Sequence, residues 1–178
     1  MIAKPSDFGG LFSCQRVLII GANGAGKTWF AMRLSVRTGL PVFHNDAFAL
    51  KTGWAYRNRS DIRRAQDDVI AQPRWILEGG PSLLQTDGLK RADVVVWLDP
   101  PKSVRIGRIM WRSIRFMGRN RPEHPEGNAD WPGRRQFRFV RKAWRLDAKV
   151  RAEIGAALAE TPTPTIRLRT AKAARDLF

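Results

Sequence analysis

The stretch RVLIIGANGAGKT, residues 16–28, decides the fold. Its first five residues are mostly apolar and β-branched without polar alternation, which predicts a strand buried on both faces of a parallel sheet. The run stops at Gly21, and Gly21, Ala22, Asn23, Gly24, Ala25, Gly26, Lys27 and Thr28 match GxxxxGK[ST] at every fixed position. Gly21, Gly24 and Gly26 let backbone amides turn inward around an anion, and a helix starting near Lys27 adds its unpaired N–H groups. Lys27 is expected to reach the β- and γ-phosphates of a nucleoside triphosphate, and Thr28 to coordinate Mg²⁺. ATP is favoured over GTP because no NKxD guanine-reading signal follows a later strand.

The rest of the chain continues this beginning. WFAMRLSVRT reads as a helix with Phe30 and Leu34 inward and Gly39 as its cap. Residues 40–43 predict a second strand running into His44, Asn45 and Asp46, and residues 47–59 look irregular. The stretch SDIRRAQDDVIAQ predicts a helix with Ser60 as N-cap, closed by Pro73. Strands are expected at 75–78 and 93–98, a helix from Pro101 to about Met117, one long helix over 134–160, a strand at 165–168 and a short helix over 171–178. This rhythm predicts a single α/β domain, residues 1–178, with five parallel strands joined by right-handed crossovers. Residues 118–133 hold three Pro and three Gly and read as a lid or a plain surface loop.

The 178 residues carry 32 Lys and Arg against 16 Asp and Glu, a formal charge of +16, with Arg supplying 24 of the bases. Such an excess suits nucleic acid, an anionic surface or a phosphate pocket, so its placement matters more than its total. Residues 102–145 hold eleven Arg and two Lys against three acids, which is +10 of the +16. The single cysteine, Cys14, allows no internal disulfide, which with the absence of an apolar leader points to the cytoplasm. The longest apolar runs have four to six residues, far short of the roughly 20 a membrane span needs. Two histidines, His44 and His124, lie far apart without ligand-spaced Cys or His, so zinc has no support.

Arg105, Arg108, Arg112, Arg115 and Arg119 recur at helical spacing along one face. Like charges at that spacing oppose the helix, so the face is either a solvated ridge or one that meets an anion. Arg108, Arg112, Arg119 and Arg121 are the candidates to steady a phosphoryl group in transfer, with Arg134, Arg135 and Arg138 beside the lid segment. Asp46, at the end of the second strand, has three open roles: accepting an acceptor's hydroxyl proton, holding Mg²⁺ through water, or serving as an ordinary turn residue. Glu78, before Gly79 and Gly80, is the second candidate on the metal, and Gly79 and Gly80 would admit a close substrate. Asp99 ends the Walker-B-like run VVVWLD but reads better as a helix cap before Pro100 and Pro101. Trp54 and Tyr56 could stack an acceptor, whereas Trp29, Trp75, Trp97, Trp111 and Trp144 read as packing residues.

On RVLIIGANGAGKT, LPVFHNDAF followed by GWAYR, RWILEGG, RADVVVWLD, RIGRIMWRSIRFMGRNRPE and TIRLRT, the chain resembles the adenylate-kinase-like P-loop proteins labelled DNA topology modulation proteins, or FlaR-related. It departs from them at Asn45, where they favour Leu, at Glu78-Gly79-Gly80, where they favour Asp-Gly-Asn, and in HPEGNADWPGRR. The resemblance implies a nucleoside-monophosphate-kinase-like fold that binds ATP or GTP and carries out phosphotransfer. It does not imply a topoisomerase, since Tyr56 is the only tyrosine.

The function expected is ATP-dependent phosphotransfer to a small molecule or nucleotide, a phosphorylated or hydroxyl-bearing acceptor, with Mg²⁺ as cofactor and no membrane partner. The competing reading is an ATP-binding regulator or weak ATPase whose basic face meets nucleic acid. Monomer and homodimer are both open, since no heptad seam is long enough for a coiled coil.

Overall fold

The computed structural model describes residues 2–3, 10–119, 127–128 and 133–178. Strand β1 is Ile2–Ala3, and β2, Arg16–Gly21, leads through the glycine loop into α1, Lys27–Thr38. Then come β3, Val42–His44, with α2, Asn45–Ala49, and α3, Arg59–Ala71, before β4, Trp75–Gly79. A short α4, Gly88–Arg91, precedes β5, Val94–Leu98, and α5, Lys102–Arg115. The chain ends with α6, Arg134–Arg145, α7, Asp147–Glu160, β6, Thr165–Leu168, and α8, Ala171–Arg175.

The strands lie in the order β1-β6-β5-β2-β4-β3, and every neighbouring pair is parallel. The five expected strands are all there, and the two-residue β1 joins them at the β6 edge. Strand β2 sits between β4 and β5, which is why it is apolar on both faces. Its odd-numbered Val17 and Ile19 pack with Phe30, Leu34 and Ile166. Its even-numbered Leu18 and Ile20 pack on the other face with Val69, Leu77, Ile154 and Leu158. Each such side chain contributes about 1.5–3 kcal/mol by leaving water. A central phosphate-loop strand flanked by the third and fourth of the five, with the second and fifth outside them, makes this a P-loop fold of the nucleoside-monophosphate-kinase type.

Helix α1 stops where Gly39 takes a left-handed φ of 67° and returns its N–H to the Ser35 carbonyl. Three expectations change. Helix α3 begins at Arg59, with Asn58 at the cap position, rather than after Ser60. The irregular 47–59 stretch contains most of α2, a 3-10 turn at Thr52–Trp54 and a bridge between Leu50 and Tyr56. The long helix over 134–160 divides at Leu146, whose ψ of 2° leaves the helical range. The division turns Asp147 inward to pair with the buried Arg105 of α5, and it leaves α6 with no buried residue. Among the described residues no helix is long and apolar enough to cross a membrane.

Candidate active site

The carboxyl ends of β2, β3, β4 and β5 open on one edge of the sheet, the place where open α/β sheets hold ligands. There the glycine loop turns on Gly24 and Gly26, with φ of 78° and 98°, a region that L side chains rarely adopt. A side chain at Gly24 would also run into the Arg105 carbonyl. Helix α5 thus braces the loop from behind: Arg105 Nη1 donates to the Asn23 carbonyl at 3.1 Å and Arg108 Nη1 to the Ala25 carbonyl at 3.0 Å. Lys27 Nζ lies 3.4 Å from the Ala22 carbonyl, which holds the ammonium across the loop.

Strand register brings the acids to this loop. His44 of β3 is paired with Glu78 of β4, which is itself opposite Ile19 of β2. Glu78 Oε1 accepts from Thr28 Oγ1 at 3.0 Å and lies 2.8 Å from His44 Nδ1. Burial works against ionisation of Glu78, but the His44 hydrogen bond, the Lys27 charge and the Thr28 hydroxyl outweigh it and hold the carboxyl below its ordinary range. A Thr hydroxyl that donates its proton to a carboxylate keeps its lone pairs for a cation, and both groups are hard oxygen donors of the kind Mg²⁺ takes.

One cavity of about 650 Å³ gathers Gly24, Gly26, Lys27, Thr28, Glu78, His44, Asp46, Arg108 and Arg112 on its walls. Asp46, exposed in the first turn of α2, is on that wall, whereas its neighbour Asn45 is buried and accepts from Gln66 Nε2 at 2.6 Å. Away from the acids the cavity is walled by Leu98, Pro100, Leu168, Ala171 and Ala174 together with Thr170 and Arg175, a mostly apolar end suited to a nucleobase.

Several expected roles fall elsewhere. Gly79 has no ligand-facing duty, since a side chain there would meet Leu83 Cδ1 at 2.7 Å and Asn45 Cβ at 2.8 Å. Asp99 is neither cap nor metal ligand: it is buried, and it accepts from Arg151 Nε at 2.7 Å and Arg167 Nη2 at 2.5 Å. Arg105 belongs to the fold, buried against Asp147, while Arg119 is exposed and off the cavity wall. Arg121 and most of the 118–133 lid segment lie outside the described residues, and within it Asn128 Nδ2 donates to the Lys51 carbonyl at 2.9 Å. Trp75 and Trp97 are packing residues as expected, but Trp29, Trp111 and Trp144 are 44–60% exposed. Of the residues around the cavity, sequence reasoning missed His44. Its signal was its place two residues before Asp46 at the end of a strand.

No protein-family model matches the chain, and no curated protein matches it. Solved structures do match. Shikimate kinase from Acinetobacter baumannii in complex with shikimate is 19% identical, covering 97% of this chain and 92% of its own, with a TM-score of 0.52. Shikimate kinase from Bacteroides thetaiotaomicron is 16% identical over 92% and 94%, with a TM-score of 0.52, and that from Aquifex aeolicus 14% identical over 91% and 90%, with a TM-score of 0.50. These matches overturn the resemblance to DNA topology modulation proteins. The strand motifs that carried it, at residues 16–21, 75–79, 94–98 and 165–168, build the parallel sheet of the P-loop fold, so they mark the fold rather than that family. The chain has the P-loop fold of the nucleoside-monophosphate-kinase type, and it shares that fold with shikimate kinases of several bacteria.

Proposed function

We propose that the chain is an ATP-dependent phosphotransferase that moves the γ-phosphoryl group to a hydroxyl of a small acceptor, with GTP the weaker donor. The observation that carries this reading is the single cavity in which the phosphate loop, the Thr28–Glu78 pair, Asp46 and two arginines of α5 meet. A binding module has no need to set a free carboxylate facing the loop that holds the phosphates.

In this mechanism the amides of residues 21–28 cradle the phosphates and Lys27 reaches the γ-phosphoryl group. Thr28 and Glu78 would hold Mg²⁺, which supplies neutralisation of the charge on the β- and γ-oxygens. Asp46 takes the proton of the acceptor hydroxyl as the acceptor oxygen attacks the γ-phosphorus. The new O–P bond forms in line as the bond to the β-phosphate oxygen breaks, and ADP leaves with that electron pair. Arg108 and Arg112 steady the charge on the oxygens in transfer. His44 positions Glu78. Arg119 lies off the cavity and has no part here.

The acceptor panel is headed by shikimate, because the structures sharing the fold are shikimate kinases, and includes other hydroxy acids, sugars and nucleoside monophosphates. With γ-labelled ATP, one member acquires label, and Lys27→Ala lowers that transfer by about 100-fold or more. Inorganic phosphate as the only labelled product with every acceptor would sink the assignment.

A further inference from the structure

Helix α6 is the most basic element of the described chain, and none of its residues is buried. Its twelve residues, RRQFRFVRKAWR, hold six cations and no acid. At 3.6 residues per turn, Arg134, Arg138, Arg141 and Arg145 fall in one row along the solvent side. Phe137 and Trp144 fall together on one flank of that row, two turns or about 10 Å apart, and are 69% and 50% exposed. The half-buried Gln136, Phe139, Val140 and Ala143 form the opposite, inner face.

The row has no structural return. No Asp or Glu among the described residues pairs with Arg138, Arg141, Lys142 or Arg145, and these four with Leu146 line a hollow of about 430 Å³. Like charges at this spacing weaken a helix, so an anion opposite them is what the arrangement lacks. The flank adds a second requirement. Trp144 is held under Lys102, whose Nζ is 3.8 Å from the ring centroid, and its ring stays half exposed.

We infer that the outer face of α6 binds single-stranded nucleic acid, with consecutive phosphates along the arginine row and unpaired bases on Phe137 and Trp144. Cations that track a backbone beside aromatic rings that stack bases are what a single strand needs. A duplex hides its base faces and would leave the two rings idle. A membrane surface calls for the reverse layout, an apolar centre that enters the lipid with cations at the margins. The inference is independent of the kinase reading, because neither the row nor its aromatic flank lines the phosphate-loop cavity.

The test is fluorescence anisotropy of a labelled twelve-nucleotide oligouridylate titrated with the full chain at several salt concentrations. The expected result is an affinity that falls linearly in log–log form with salt, with a slope of roughly −3 for four phosphates contacted. The R138E/R141E double variant weakens binding at least about 30-fold, since two contacts become repulsions. The F137A/W144A double variant weakens it about 30-fold or more with the salt slope unchanged, and binding quenches Trp144 fluorescence. Melting curves of both variants verify that they fold. Four outcomes each overturn the proposal: no binding, binding without salt dependence, charge-reversed protein that binds as tightly as the parent, or a duplex of equal length that binds as well and is indifferent to F137A/W144A. Competition with phosphatidylserine vesicles that strip the oligonucleotide would assign the face to a membrane and overturn it too.

Discussion

Helices α5 and α6 are both dense in arginine and pack on one another, yet their arginines have opposite fates. Arg105 of α5 is 2% exposed, paired with Asp147 and bonded to the Asn23 carbonyl, and Arg108 bonds the Ala25 carbonyl. Of the arginines of α6, Arg135 lies over the Trp54 ring, 3.8 Å from its centroid, and Arg134, Arg138, Arg141 and Arg145 face water. Spacing along the helix is similar in both, so it does not separate them. What separates them is what lies opposite: α5 crosses behind the phosphate loop, where carbonyls and a carboxylate wait for donors, and α6 crosses nothing of the kind. In the first helix Arg105 builds the fold and Arg108 and Arg112 reach the cavity wall, whereas the outer row of the second is left for a partner.

The sharpest way to break this comparison is to remove Arg105. Burial pushes its guanidinium down from its ordinary value, Arg151 adds to that and Asp99 opposes it. Arg105→Met leaves the Asp147 carboxylate buried without its partner and frees the crest of the loop at Asn23. Urea unfolding is expected to show a loss of about 3–5 kcal/mol, and the double variant R105M/D147L to regain much of it. A single variant within 1 kcal/mol of the parent would mean that α5 is no more committed to the fold than α6.

The same contrast explains what could be read in advance. The loop of residues 21–28 was legible because its glycines answer to local backbone demands, and the φ of 78° at Gly24 is one that few other residues supply. Asp46 and Glu78 were legible because strand ends in a parallel sheet share one edge. Arg105 was not, because its spacing is that of Arg108 and Arg112, and only the turn of the chain at Leu146 presents Asp147 to it. Asp99 before two prolines has the local form of a cap, and its real partners, Arg151 and Arg167, arrive from α7 and β6. His44 carried no ligand spacing, and its role appears only once β3 and β4 pair. Local signals held where the backbone itself was the constraint, and they failed where a distant side chain decided.

Glu78 sharpens the comparison through pH. Its ordinary carboxyl value is 4.5, and in the folded chain it lies lower, because the His44 hydrogen bond, the Lys27 charge and Thr28 outweigh the burial that pushes it up. A depressed acid favours the folded state wherever the unfolded chain would bind the proton first. Its contribution is therefore full above about pH 4.5 and is lost as pH falls through the lower folded value. The stability of the parent should decline across that acid window more steeply than that of Glu78→Gln, followed by thermal melts from pH 6 downward. Equal slopes would mean that the His44, Lys27 and Thr28 contacts do not favour the ionised form.

The smallest effect belongs to α6. If its outer row serves a partner and not the fold, then Arg138→Gln with Arg141→Gln removes repulsion without removing any contact the fold uses. The expected change in unfolding free energy is within about 0.5 kcal/mol, in the direction of a gain, because two like-charged neighbours at helical spacing are relieved. The gain should shrink with added salt, since the repulsion is between exposed charges and is screened over roughly 10 Å at 0.1 M. Melting the double variant beside the parent at low and high salt reads both features. A loss beyond 1 kcal/mol would show that these side chains hold α6 in place, and the distinction between the two helices would collapse into one arginine-built layer.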